Sequence, residues 1–245
     1  MVEVIRYALS ADGTGPIDYQ AAWDFQRSLH AQVVAGEHPG AVLLLEHTPV
    51  FTAGKRTDPL HRPFDGIAVI DVDRGGSITW HGPGQLVVYP ILRLPKRVYV
   101  GDLVRRLERM TMAVCATFGV DTVPVTGRSG VWVPARDNQP ERKICAIGLR
   151  VAQGVSMHGI ALNCDADLSW FSRIVPCGIG DAGVTSLSQE AGRTITVDEC
   201  STVMTTCVQE FFGDWSTSSR SGESAGLATG DALREGLHYA EAGTQ

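Results

Sequence analysis

Residues 74–90 read RGGSITWHGPGQLVVYP. Gly75 and Gly76 come first, a pair without Cβ atoms that lets backbone lie close to a ligand. Ser77-Ile78-Thr79-Trp80-His81 then alternates in polarity, as a half-buried strand does. Gly82-Pro83-Gly84-Gln85 turns the chain into an apolar run from Leu86 to Leu92 with strand composition. The spacing predicts a hairpin of two strands whose tight polar turn displays His81. An ordinary glycine-rich hairpin fits the same spacing.

On the N-terminal side, Val2–Leu9 reads as a strand and Gly13-Thr14-Gly15-Pro16 as a turn. A helix is expected over Ile17–Ala35, with Tyr19, Trp23, Leu29 and Val33 near one face and Gly36 closing it. The short apolar run Ala41–Glu46 is a buried strand. His47–Arg56 is a polar loop or short strand, and Ile67–Val72 a strand leading into the central run. On the C-terminal side, Val100–Phe118 is a helix with Asp102 in its first turn and Gly119 as its stop. Val131–Val133 is a short strand and Asp137-Asn138-Gln139-Pro140 a turn. Arg142–Ala152 and Val155–Asn163 form a second hairpin around Gln153-Gly154. Ile174–Asp181 has no period and reads as a loop, and Thr196–Phe212 is a last helix. From Ser216 the chain turns to Ser, Gly, Thr and Ala, too poor in large apolar residues to hold a fold. That stretch, 216–245, reads as a flexible tail with a short helix near Ala232–Ala242. Many short strands among three clear helices indicate an α+β or mixed α/β fold, not a doubly wound sheet.

Composition narrows the function classes. With 245 residues, 44% hydrophobic and 20% charged, the chain can bury a sizeable core. No apolar run approaches the ~20 residues that span a bilayer. The start MVEVIRYAL lacks the features of a signal peptide, so a cytoplasmic protein is expected, without membrane partners. A net charge of −6 argues against general nucleic-acid binding. Locally, Arg93, Lys96, Arg97, Arg105, Arg106 and Arg109 outnumber Asp102 and Glu108, which gives either a solvated helix face or a patch for an acidic partner.

Among six cysteines none forms a C-x-x-C pair. Cys115, Cys145, Cys164, Cys200 and Cys207 fall in helices or strands and read as buried hydrophobes. Cys177 differs: it stands between Pro176 and Gly178 in a loop, where function concentrates. A nucleophilic cysteine needs help to ionise. Candidate bases are His47, His81 and His158. Lys143 is a further option, because an ammonium beside a thiol favours the thiolate, although without a partner motif a solvated strand end is the preferred reading. A zinc site of His81, His158 and Cys177 has no support in their spacing. No G-x-x-x-x-G-K-S/T phosphate loop is present.

Taken together, RGGSITWHGPGQLVVYP, EHTPVFTAGK, KICAIGLRV, SMHGIALN and PCGIGDAGVTSL resemble the lipoyl(octanoyl)transferase family, in order and spacing, from about Val2 to Phe212. These are octanoyl-acyl carrier protein:protein octanoyltransferases, in the same fold superfamily as lipoate and biotin protein ligases. The resemblance implies a mixed α/β catalytic domain over residues 1–215, with a large and a small β-sheet and flanking helices. It implies that an octanoyl group passes from the phosphopantetheine thioester of acyl carrier protein to a cysteine. A lysine of a lipoyl domain, on glycine-cleavage H protein or 2-oxoacid dehydrogenase E2 subunits, then takes it as an amide. The family's cysteine falls on Cys177 and its partner lysine on Lys143. Its substrate-binding segments fall on Arg74, Gly75, Gly76, Ser77, Ile78, Thr79, Trp80 and His81, on Ala146-Ile147-Gly148, and on His158-Gly159-Ile160-Ala161. No cofactor is implied, neither ATP nor metal. An ATP-dependent lipoate ligase on the same fold, or a protein that only binds lipoyl domains, are the rival readings.

Overall fold

The computed structural model describes residues 2–6, 15–63, 65–136, 139–174 and 182–215. In chain order its strands are β1 (Glu3–Arg6), β2 (Ala41–Leu45), β3 (Val50–Ala53), β4 (Val69–Asp71), β5 (Ile78–His81), β6 (Gln85–Ile91), β7 (Val123–Val125), β8 (Arg128–Val133), β9 (Arg142–Ala152), β10 (Val155–Asn163) and β11 (Gly183–Val184). The α-helices are α1 (Tyr19–Ala35), α2 (Val100–Thr117), α3 (Leu187–Ala191) and α4 (Val197–Phe212). The expected tail from Ser216, residues 7–9 of the expected first strand, and Asp137-Asn138 of the expected turn lie outside the described residues.

The hairpin of β9 and β10 has the expected boundaries. Gln153 and Gly154 both take positive φ, 52° and 76°, the twist that a two-residue loop needs to match its strands. Around this hairpin a large sheet forms in the order β1-β2-β6-β10-β9-β8-β7, with β11 also paired to β9. β1 runs parallel to β2, and β11 parallel to β9; the other pairings in this sheet are antiparallel. A separate small sheet has the order β4-β3-β5.

The central run therefore departs from the expected hairpin. β5 pairs with β3 in the small sheet, His81 facing Val50 and Ile78 facing Ala53. β6 pairs with β2 and β10 in the large one. Gly82-Pro83-Gly84 is the corner between two sheets, fixed where the Gly84 amide donates to Glu46 Oε1 at 2.7 Å. The physical reason is burial. β6 is buried at every position because both faces of the large sheet are covered. β5 sends Ile78 and Trp80 into a small core with Phe51, Phe171 and Ile174.

Residues that alternate along the strands separate two further cores. Leu44, Leu86, Val88 and Leu162 pack with Leu103, Leu107, Met110 and Val114 of α2 and with Met204, Val208 and Phe212 of α4. On the other face Leu43, Leu45, Val87 and Tyr89 pack with Ala22, Leu29 and Val33 of α1. The helix starts are capped: the Asp18 carboxylate accepts from the Ala21 amide at 3.0 Å, and Thr196 Oγ1 from the Glu199 amide at 3.2 Å. Each such cap contributes about 0.5–2 kcal/mol. At the start of α2 the Asp102 carboxylate accepts from the Tyr99 amide at 2.8 Å.

Candidate active site

A cavity of about 440 Å³ lies between the two sheets. The small sheet and the turn before it supply Arg74, Gly76, Ser77, Thr79 and His81. The large sheet supplies Tyr89, Lys143, Ala146, Ile147, Gly148, His158, Gly159, Ile160 and Ala161, and α1 supplies Tyr19. Arg56, Asp58, His61, Gly127, Arg128 and Ser129 complete the lining. Three residues of the expected substrate segment stand elsewhere. Ile78 and Trp80 point away into the small core because strand side chains alternate, and Gly75 is not part of the wall. Cys177 lies outside the described residues. On either side of residues 175–181, Ile174 joins the small core and Gly183 begins β11, which pairs with the strand carrying Lys143.

Two opposed glycines, Gly148 on β9 and Gly159 on β10, leave room for close backbone contacts, Gly159 against β6 within the large sheet and Gly148 against the turn before the small one. A Cβ on Gly159 would lie 1.9 Å from the Val88 carbonyl oxygen. A Cβ on Gly148 would lie 2.9 Å from Arg74 Cδ and 3.0 Å from the Gly75 oxygen. In the space so left, the Gly75 amide donates to the Leu149 carbonyl at 2.9 Å. Arg74 is buried and holds its own turn together. Its guanidinium donates to Thr52 O and Thr52 Oγ1 at 2.8 Å, Ser77 O at 2.9 Å and Gly75 O at 3.0 Å.

Two buried histidines, His81 and His158, line the cavity, a third, His47, packs edge-on against His81 behind it, and in each the partner decides where the proton sits. His47 lies 3.1 Å from the Ile17 carbonyl through Nδ1, which must donate. Its Nε2 therefore accepts from the Tyr89 hydroxyl at 2.7 Å, and Tyr89 shares a further hydrogen bond with Tyr19. Burial lowers the His47 pKa to about 4, and burial raises that of Tyr19 to about 12. His158 Nε2 donates to Asp73 at 2.7 Å, and Arg150 pairs with the same carboxylate. Burial lowers the His158 pKa to about 4 against the pull of Asp73. His81 Nδ1 lies 2.7 Å from Gln85 Oε1, and burial, with His47 and Arg74 nearby, holds its pKa well below the ordinary value. All three rings are thus kept neutral.

Lys143 is buried, with its ammonium 4.6 Å from the centroid of the Trp132 ring. No carboxylate pairs with it among the described residues. The strand end that carries it is locked by Thr185, whose amide donates to the Lys143 carbonyl at 3.0 Å. The arrangement offers a cation beside a cavity, backbone amides at glycines, and small apolar side chains at Ala146 and Ala161, while Ile147 and Ile160 turn their side chains into the core under α2.

Cys115, Cys145, Cys164, Cys200 and Cys207 are buried, and burial raises the Cys115 thiol to about 12. Among the described residues no group of three or more His, Cys, Asp and Glu could hold a metal ion. Nor is any described helix long and apolar enough to cross a membrane. Half of the basic cluster is occupied within the fold. Arg93 donates to the Val33 carbonyl at 2.7 Å, Arg105 pairs with the buried Glu108, and Arg106 donates to Phe211 O. Moreover, α2 lies across the large sheet from the cavity, whereas Arg56 and Arg128 line the cavity itself.

Residues 18–211 match the family model described as the lipoyl protein ligase A/B catalytic domain. The octanoyltransferase of Salinispora arenicola is 64% identical over 183 residues, covering 75% of this chain and 86% of that protein. That of Mycolicibacterium smegmatis is 60% identical over 185 residues, covering 76% and 81%. The chain belongs to this family. Among solved structures, lipoate-protein ligase A bound with ATP matches with a TM-score of 0.68 at 13% identity, covering 97% of this chain and 94% of that one. A lipoate protein ligase from Thermoplasma acidophilum gives 0.68 at 12% identity, covering 98% and 92%. At such identities the likeness establishes the fold, a large mixed sheet with a small three-stranded one.

Tyr19, Tyr89, Asp73, Gln85 and Asn163 were not legible as site residues. Tyr19 obeys the helix period like a core residue, and Tyr89 sits within a continuous apolar run. For Asn163 the available signal was a lone amide ending an otherwise apolar strand.

Proposed function

We propose that this chain moves an octanoyl group from acyl carrier protein to a lysine of a lipoyl domain, by way of a thioester on Cys177. The observation that carries the reading is Lys143, a buried ammonium without a carboxylate partner among the described residues, in the wall of a cavity with apolar sides. Relatives named octanoyltransferase at 55–64% identity support it. In the first half-reaction the Cys177 thiolate adds to the thioester carbonyl, and the carbon–sulfur bond to phosphopantetheine breaks as the Lys143 ammonium gives its proton to the leaving sulfur. In the second, the acceptor amine adds to the acyl-enzyme carbonyl and Cys177 leaves. The Lys143 cation favours the thiolate in the first step, and its neutral amine takes a proton from the attacking amine in the second. Amides at glycines such as Gly76, Gly148 or Gly159 stabilise the oxyanion.

Exchange of one thioester for another is nearly balanced, and amide formation draws the reaction forward, so neither ATP nor a metal is needed. Arg74, the Gly75–His81 turn and strand, Ala146–Gly148 and His158–Ala161 form the substrate channel in this reading, with Ile78 and Trp80 acting as its support. The acidic carrier approaches over Arg56 and Arg128, in place of the α2 patch. The acceptors are lipoyl domains of glycine-cleavage H protein and 2-oxoacid dehydrogenase E2 subunits, and the reaction belongs in the cytoplasm, with no nucleic acid or membrane involved.

The test is an intact-protein mass after mixing with octanoyl-acyl carrier protein in the absence of ATP and magnesium, followed by peptide mapping. An octanoyl adduct on Cys177 that disappears on adding apo lipoyl domain is the expected result. Product that forms only from free octanoate with ATP would instead identify an ATP-dependent ligase.

A further inference from the structure

A buried chain of amide side chains connects the cavity wall to Thr185, the residue after β11. It begins at the Thr185 carbonyl, which only accepts. Asn163 Nδ2 donates to it at 2.9 Å, so Asn163 Oδ1 faces the other way and accepts from Gln85 Nε2 at 2.9 Å. Gln85 Nε2 also lies 3.3 Å from the Trp80 carbonyl, a second acceptor that fixes the same orientation. Gln85 Oε1 is thus the atom turned to His81 Nδ1 at 2.7 Å, and an amide oxygen can only accept. The proton on His81 is therefore on Nδ1. His81, Gln85, Asn163 and Thr185 are 6%, 1%, 4% and 1% exposed, so water does not compete for these bonds. The His81 ring is stacked on Tyr19, centroids 5.9 Å apart and 14° from parallel. Its Nε2 has no hydrogen-bond partner among the described residues, and the residue lines the cavity.

We infer that Gln85 and Asn163 are positioning residues that hold His81 as the Nδ1–H tautomer, so that Nε2 presents a lone pair to an N–H donor of the substrate. The substrate role rests on the acyl-transfer reading of the cavity; the tautomer does not. Burial opposes the imidazolium, so the ring acts as an acceptor and orients its donor without storing a proton. Two N–H donors enter such a site: an amide of the phosphopantetheine arm in the first half-reaction, and the acceptor amine in the second.

The experiment uses the full chain with 15N-labelled histidine. A long-range 1H–15N spectrum without substrate is expected to show His81 protonated on Nδ1 and bare on Nε2. Gln85→Met, similar in size but unable to accept, should move the proton toward Nε2. Gln85→Glu, which keeps an acceptor facing Nδ1, should restore it, and the spectra themselves report whether each variant is folded. Formation of the octanoyl adduct and its single-turnover transfer to a lipoyl domain are then timed separately. Loss of one good hydrogen bond predicts that Gln85→Met slows one half-reaction about tenfold and largely spares the other. Slowed loading identifies the pantetheine amide as the donor, and slowed transfer the amine. A wild-type His81 protonated on Nε2, or a Gln85→Met variant whose two half-reactions are unchanged or equally slowed, overturns the inference. A wild-type enzyme that forms neither adduct nor product overturns the acyl-transfer reading, and the substrate role of Nε2 with it, while the spectrum still decides the tautomer.

Discussion

Gly148→Ala asks how much the cavity owes to close contact between the sheets. The backbone of Gly148 is not in the positive-φ region, so alanine is conformationally acceptable there. By itself, loss of glycine freedom in the unfolded chain would stabilise by about 0.4–1 kcal/mol. Against this, the new methyl meets Arg74 Cδ at 2.9 Å and the Gly75 oxygen at 3.0 Å. Neither neighbour can give way freely. One is backbone, and the other belongs to a side chain tied by hydrogen bonds to Thr52, Gly75 and Ser77. Overpacking of this kind costs about 1–3 kcal/mol, and loss of the Gly75–Leu149 hydrogen bond adds about 1 kcal/mol. The net is a destabilisation of about 1–3 kcal/mol, or a melting temperature about 2–12 °C lower for a domain of this size. Thermal unfolding followed by circular dichroism measures it, and octanoyl transfer at a temperature where the variant is folded should fall as the Arg74–Gly76 turn lifts from β9. An unchanged or raised melting temperature would refute the steric argument.

Lys143→Met keeps the buried stem and removes the charge, so the melting temperature should change little while adduct formation slows by about 10²–10⁴-fold; equal loading rates would dismiss Lys143 as the acid–base partner. The His47 pKa falls from 6.5 to about 4 on folding. Between those pH values the unfolded chain binds more protons, so the contribution is full above pH 6.5 and is lost as pH falls through about 4. His47→Gln should therefore remove about 1.4 kcal/mol per pH unit from the slope of stability in that window, and an unaltered slope in urea titrations at pH 4.5–6 would count against it. Glu190 accepts from Arg142 Nε at 3.0 Å, from Arg142 Nη2 at 3.1 Å and from Thr185 Oγ1 at 2.6 Å. Its replacement by Gln leaves a largely buried arginine poorly matched and should cost about 2–4 kcal/mol by denaturant unfolding, whereas a cost near zero would show the pair to be solvated.

Legibility in the sequence followed the range of the interactions concerned. β9 and β10 were readable because a two-residue turn and the strand period are local. β5 and β6 read as one hairpin because a glycine-rich corner between sheets uses the same residues as a hairpin turn. A sign of the difference was present in the sequence: Ser77–His81 alternates, whereas Leu86–Leu92 is continuously apolar. The family motifs located Lys143, Ala146–Gly148 and the Gly159–Ala161 strand on one cavity. They did not distinguish Ser77, Thr79 and His81, which face it, from Ile78 and Trp80, which do not; that depends on which side the small core lies. Arg74 reads as a surface cation until β3 supplies Thr52. The Gln85–Asn163 contact joins residues far apart in sequence, and no period announces it.

The excursion between β10 and β11 is stitched shut at its base. The Cys164 amide donates to the Gly84 carbonyl at 2.9 Å, the Ser188 amide to the Cys164 carbonyl at 2.9 Å, and Asn163 reaches Thr185 O at 2.9 Å. The two ends of this excursion are therefore held together by bonds that do not involve its middle. Closure entropy grows only logarithmically with the number of residues enclosed, by about 0.6 kcal/mol per doubling. Away from Phe171 and Ile174, which pack into the small core, a change in its length therefore carries little closure cost. Outside those core residues, the length of this excursion is thus a dial that selection can turn without reopening the folding problem.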